Sequence, residues 1–218
     1  MTCAICHVRK EKRFCLALHD RICPQCCGEQ REVTLECPSE CPYLQRARQQ
    51  EKPRDFGDKL PDEMFPAVGL TQAFLQHNEP LIAGLFQTLL RLSASDRKLK
   101  DREIIGALTA MARSYQTLVA SGLVYQEASA NPAQSAIIDV LHRSVEEFRK
   151  IEQQHLGYTA LRDSDVLKAL VFMIRLAHLH TSGRPLSRAF LDSLLERFPE
   201  PGPAGDLNAA AGSRIILP

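Results

Sequence analysis

The sequence predicts a mostly α-helical protein, with a small cysteine-rich module at its N-terminus followed by a bundle of five or six helices. Three observations carry this. All eight cysteines lie between Cys3 and Cys41. From about residue 62 to 198, apolar residues recur at the i, i+3/i+4 spacing of amphipathic helices. Over the same stretch the alternating, β-branched runs that mark strands disappear. The expected division is a module over 1–50 and a linker over 51–61, where Pro53, Gly57 and Pro61 sit among charges. A bundle over 62–198 and a flexible tail over 199–218, rich in Pro, Gly and Ala, complete it.

The module is ordered by its thiols. Cys3-x2-Cys6 and Cys23-x2-Cys26 are separated by sixteen residues, and Cys37-x3-Cys41 follows, with Cys15 and Cys27 between the pairs. A C-x2-C pair curls so that both sulfurs face one point, and two such pairs complete a tetrahedral metal site. Pro24 fixes one backbone angle inside the second curl, and Gly28 just after it tolerates positive φ. Residues 31–35 alternate and contain Val33 and Thr34, which predicts a short strand. Cys37 and Cys41 stand one helical turn apart, and Pro38 and Pro42 favour a turn at the entrance of a helix through Tyr43–Arg48.

Clustered thiols serve disulfides or metals, and compartment decides between them. Cys3 and Cys6 occupy the place where the apolar stretch of a signal peptide would begin, and no run approaches the ~18 apolar residues needed to span a bilayer. The expectation is a cytoplasmic protein with reduced thiols, no membrane partner and bound metal. Paired knuckles favour zinc, two ions per chain. An iron–sulfur cluster is the alternative, although its known ligand runs place three cysteines together and a fourth apart. A fold of some forty residues with few large apolar side chains needs the folding free energy that metal supplies.

Knuckle, short strand and ligands at a helix start resemble a treble-clef zinc module. The order of the pairs also resembles the cross-brace of RING-type fingers over residues 3–41. That resemblance implies that Cys3, Cys6, Cys23 and Cys26 share one zinc. Cys37 and Cys41 would share the other with Cys15 and either Cys27 or His19. Eight thiols fill two four-cysteine sites without remainder, whereas Cys15-x3-His19 has the better local spacing, so both choices stand. The C-x3-C final pair and the extra Cys27 depart from the RING pattern. A ligase of this type would grip a conjugating enzyme through exposed apolar residues, for which Ile5, Leu16 and Ile22 are the candidates.

In the bundle, Asn78-Glu79-Pro80 predicts the start of a helix through Leu81, Leu85, Leu89 and Leu92, preceded by a short helix around Leu70, Phe74 and Leu75. Asp101 is placed to cap a long helix whose stripe runs from Ile104 to Val119 and which ends near Gly122. Asn131-Pro132 opens the next, with Ile137, Leu141, Val145 and Phe148 on one side. Asp163 or Ser164 would cap a helix from Val166 to His180 that is apolar around most of its girth and so belongs at the centre. Gly183 and Pro185 close it, and Ser187 would cap a last helix through Phe190, Leu194 and Phe198.

Net charge is +1, which offers no general attraction to polyanions. Residues 1–54 hold ten Lys/Arg against seven Asp/Glu, and Arg9, Lys10, Lys12 and Arg13 are the best candidates for phosphate contacts in a nucleic-acid-binding reading. No nucleophile elbow, phosphate-cradling loop or His-Glu-x-x-His pair occurs. His142 and Glu146 share a helix face, as ordinary surface neighbours do. His178 and His180 diverge by about 200° on a helix and cannot chelate one ion. Asp163 and Asp165 suit a helix start, and Arg184 lies in a polar loop where it closes a turn or binds an anion. The terminal Ile215-Ile216-Leu217 either docks back on the bundle or adds to a partner's surface. The sequence therefore points to a zinc-binding, non-enzymatic interaction or adaptor protein whose partner is another protein. A ligase module, a nucleic-acid binder and an iron–sulfur or redox-sensing protein are the alternatives.

Overall fold

A computed structural model of the chain describes residues 2–51, 56, 60–124 and 131–198. A two-stranded hairpin opens it, β1 (Arg13–Cys15) pairing antiparallel with β2 (Asp20–Ile22) in the register Arg13–Ile22, Phe14–Arg21, Cys15–Asp20. Two short helices follow, α1 (Pro24–Gln30) and α2 (Pro42–Gln50). Both carry proline in the first turn, where its missing N–H leaves no bond unmade.

The expected strand at 31–35 is instead a tight turn. The carbonyl of Gln30 accepts from the amides of Val33, Thr34 and Leu35, and Glu32 takes a left-handed φ of 54°. The alternation there reflects a buried Glu32 and Leu35 flanking exposed Val33 and Thr34, not a pleat.

A 3-10 turn (Asp62–Met64) leads into α3 (Gln72–His77), α4 (Glu79–Ser95), α5 (Asp101–Ser121), α6 (Pro132–Leu156), α7 (Asp163–His180) and α8 (Ala189–Arg197). Arg175 on α7 pins the incoming chain by donating to the carbonyls of Met64, Phe65 and Val68 at 2.7–3.0 Å. As the sequence predicts, α7 is the central helix, with Val166, Ala169, Leu170, Val171, Met173, Ile174 and Ala177 all fully buried. It packs most extensively on α5, whose Ile104, Ala107, Leu108 and Ala112 are likewise inaccessible. Burying each such Leu or Ile side chain contributes about 1.5–3 kcal/mol, so the bundle has an ample apolar core. Tyr115 stacks on His142 and Gly106 admits Gln134 against its backbone, which makes α5 and α6 parallel and starts both at one end of the bundle.

Several caps differ from expectation in an informative way. Asn131 caps α6 as predicted, its side chain accepting from Ala133 N at 2.9 Å, and Gly122 and Gly157 end α5 and α6 in left-handed conformations. Asp101, however, does not cap its own helix. Lys100 is the cap residue of α5, with Glu103 reaching back to its amide at 2.9 Å. The Asp101 carboxylate crosses to α8, accepting from the amides of Phe190 and Leu191 at 3.2 Å and from the Ser187 hydroxyl at 2.7 Å. Ser187 thus supports α8 one residue before its cap residue, Arg188. Likewise Asp163 bonds Arg149 of α6 at 2.6 Å, with Asp165 beside it in the first turn of α7, where negative charge suits the helix dipole. Asn78 donates its side chain to Phe74 O rather than capping α4. Most of the expected linker, at 52–55 and 57–59, and the tail with Ile215, Ile216 and Leu217 lie outside the described residues.

Candidate metal centre

Backbone bonds build the first knuckle. The Cys3 amide donates to Arg9 O at 2.8 Å and the His7 amide to Cys3 O at 2.9 Å, with His7 at a φ of 55° closing the turn. The Ala4 amide donates to Arg21 O at 3.0 Å, which lays this loop along β2 and sets it against Cys23 immediately after the strand. Cys23 is the cap residue of α1, and its sulfur accepts from Cys26 N at 3.4 Å. The sulfurs of Cys3, Cys6, Cys23 and Cys26 lie within 4.8 Å of one another. Four ligands at ~2.3 Å from a tetrahedral zinc stand ~3.8 Å apart, so this donor set fits a metal ion.

The surroundings favour thiolates at Cys3 and Cys23. Cys23 N donates to Cys3 Sγ at 3.1 Å, and Arg9 Nη1 lies 3.9 Å from the sulfurs of both Cys23 and Cys26. Burial raises the Cys3 thiol, but amides of Cys6, Cys23 and Ile5 together outweigh it and bring it to about 6. The Cys26 amide, with the Cys26 and Arg9 side chains, lowers Cys23 against its burial and the Cys3 side chain. Burial first, then hydrogen bonds to Cys23, Cys6 and Cys3, push Cys26 up to about 12. A bare cluster of this kind shares protons unevenly; a cation at its centre would favour full deprotonation.

The other four thiols are spread less tightly. Cys15, Cys27 and Cys41 are buried and Cys37 is half-buried, and all eight cysteines are free thiols. Burial and then the proximity of Cys41 and Cys15 push Cys37 up to about 11. Arg13 Nη1 donates to Cys27 Sγ at 3.4 Å while its guanidinium lies 4.7 Å from the centre of the Tyr43 ring, two residues beyond Cys41. Among the described residues the first quartet is the one group whose ligand atoms all stand at metal-binding separations. His19 is exposed in the hairpin turn at a φ of 52°.

Other sequence candidates find different roles. Ile22, a contact residue in the ligase reading, is fully buried in the module, while Ile5 and Leu16 are half-buried. His142 stacks on Tyr115, and Glu146 pairs with Arg149 at 3.0 Å, so each has a structural partner of its own. His178 is on a buried side of α7, and His180 faces a groove of about 660 Å³ between α2 and α7–α8 that Gln45, Gln49 and Ser193 also line.

What sequence reasoning missed is the seam joining the module to the bundle. Glu32, only 2% exposed, accepts from Arg48 Nη2 at 2.9 Å and from Ser182 Oγ at 3.1 Å, and its carbonyl accepts from Leu186 N at 2.8 Å. Arg48 Nη1 continues to Asp192 of α8 at 2.8 Å, where Ser39 and Arg188 also bond. Arg184 reaches the carbonyls of Gly28 and Arg31 at 3.1 and 2.6 Å, so its role is to grip the end of α1. Lys100 meets Glu36 at 2.5 Å. These partners lie far apart in sequence, and no local pattern announces them.

No helix of the described residues is long and apolar enough to cross a membrane. No protein-family model, curated protein or solved structure matches the chain.

Proposed function

We propose that this chain is a non-enzymatic interaction protein whose metal is structural zinc and whose main partner is another protein. The observation that carries the reading is the Cys3, Cys6, Cys23, Cys26 quartet, which supplies four protein ligands to one point and leaves no position for substrate water. Cys15, Cys27, Cys37 and Cys41 form the second zinc site, with the exposure of His19 and the Arg13–Cys27 bond favouring the all-cysteine set. One zinc shared by Cys3, Cys6, Cys23 and Cys26, with Cys15 falling between the two pairs in sequence, would match a cross-brace. Zinc there would set the shape of a module too small to fold on apolar burial alone.

Support for a protein partner comes from the opposite end of the molecule. Because α5 and α6 run parallel, their C-terminal ends lie together, and there Val119, Leu123 and Val124 and, across from them, Leu156 and Tyr158 are 48–84% exposed. Metal module and apolar end thus flank the bundle as two separate faces of an adaptor. The test is crosslinked capture of partners from native extract by the intact chain and by a Leu123→Asp, Leu156→Asp variant. Proteins captured by the first and lost with the second support the reading. Capture that is identical for both would refute the assignment of that face, and the appearance of ubiquitin-conjugating enzymes bound through the module would favour the ligase alternative.

A further inference from the structure

The extended segment from Lys10 to Cys15 sorts its side chains strictly by parity. Glu11, Arg13 and Cys15 turn inward: Glu11 and Arg13 are half-buried, Cys15 is buried, and Arg13 is committed to Cys27 and Tyr43. Lys10, Lys12 and Phe14 are exposed on the other side, in a row with steps of about 6.7 Å. Arg21, directly opposite Phe14 in the strand register, is exposed on the same face. Phe14 is 48% exposed although it sits in a hydrogen-bonded strand, and no ion pair among the described residues engages Lys10, Lys12 or Arg21. Nearby acid is limited: Glu11 lies on the inner side, and Asp20 Oδ1 is held by the Arg21 amide at 2.6 Å.

We propose that this outer hairpin face, formed by Lys10, Lys12, Phe14 and Arg21, is a binding site for single-stranded nucleic acid. Three cations with no ion pair among the described residues, around one presented aromatic ring, match a polyanion with stackable bases. A protein partner would instead call for a continuous aliphatic surface, whereas the aliphatic side chains exposed nearby, Val8 and Leu18, stand singly before Lys10 and in the hairpin turn, outside the row Lys10, Lys12 and Phe14. A duplex is disfavoured because a strand pair of three residues cannot fill a groove and stacked bases offer Phe14 no ring face. The platform is stiff, since the Lys12 amide donates to Ile22 O at 3.1 Å, Cys15 packs in the cysteine cluster and Arg13 is held by Cys27 and Tyr43. The structure also corrects the linear basic run: Arg9 and Arg13 face sulfur, leaving Lys10 and Lys12 for phosphate, and Arg21 joins them from across the hairpin. This site is independent of the protein-binding face proposed above.

The test is fluorescence anisotropy of the full, metal-loaded chain with a labelled oligouridine of about twelve nucleotides, and with a duplex of equal length. Three phosphate contacts predict a loss of about 18-fold in affinity as salt rises from about 50 to about 200 mM, from a slope of about −0.7 per contact. Lys12→Gln should reduce that slope by about 0.7. Phe14→Ala should weaken binding about tenfold or more, whereas Phe14→Trp should retain it. All these side chains are exposed, and unchanged metal content and far-UV circular dichroism identify variants that remain folded. No binding at about 50 mM salt, an unchanged affinity in folded Phe14→Ala, or a preference for duplex would each overturn the assignment.

Discussion

The cysteine module and the helical bundle solve the same problem with different materials. The bundle buries Leu85, Leu89, Leu108, Leu141, Leu170 and Ile174 completely, and every helix contributes to one continuous apolar cluster. The buried cluster of the module consists of Cys3, Cys15, Cys23, Cys26 and Cys27 with just Ile22 and Leu35 as hydrocarbon. Sulfur takes the place of aliphatic side chains there, and in the proposed zinc-bound state its bonds to metal replace the missing transfer free energy. The comparison teaches that the bundle has an apolar core of its own, whereas the module, with little hydrocarbon to bury, would depend on the proposed metal and on the surface against which it docks.

Four perturbations would break or sharpen that contrast. The largest effect belongs to metal removal: a strong chelator should abolish amide protection across residues 3–41 while α5 and α7 keep theirs. Hydrogen exchange read by mass spectrometry checks this, and loss of protection throughout the chain would show that the bundle is not independent. Next comes Glu32→Ala, which leaves Arg48 and Ser182 without their buried partner. It should cost about 3 kcal/mol in denaturant unfolding, with Arg48 exposure near 20% placing it at the low end of the range for broken buried pairs. Arg184→Ala removes two charge-assisted bonds, to Gly28 O in α1 and to Arg31 O just beyond it, and should cost about 1.5 kcal/mol, felt as faster exchange in the module rather than in α7.

The smallest effect is a pH dependence at Glu36. Its hydrogen bond with Lys100, and then their charge attraction, hold the carboxylate below its ordinary value of 4.5. A carboxylate depressed in the folded state stabilises fully above its unfolded pKa. That contribution is lost as pH falls from about 4.5 through the lower folded value. Glu36 is 61% exposed, so the effect should stay below about 1 kcal/mol, and Glu36→Gln should flatten the stability profile over that acid window by removing this small contribution at neutrality while leaving stability below the window unchanged.

These contrasts also mark what was legible in the sequence. Apolar periodicity located α4 to α8, and the girdle of apolar residues on α7 identified the central helix, because burial of a helix is written in its own composition. Knuckle spacing picked out the Cys3, Cys6, Cys23, Cys26 quartet because two short loops alone bring each pair together. Interactions closed by distant partners were not legible. Asp101 looks like a local cap and instead caps a helix some ninety residues away, and Arg184 looks like a loop residue and instead grips α1. The turn at 31–35 imitated a strand because a buried acid and a buried leucine gave it false alternation. Basic residues at 9–13 read as one patch, although strand geometry sends alternate members to opposite sides.

The central claim, that two sets of four thiolates hold the module together, is tested most directly by metal content per chain with an absorption spectrum, on protein purified anaerobically. The account predicts two zinc per chain and no visible absorption, falling to one zinc when Cys41 is replaced by Ser. A single zinc in the unaltered chain would contradict the second site, and iron with visible absorption would contradict structural zinc altogether.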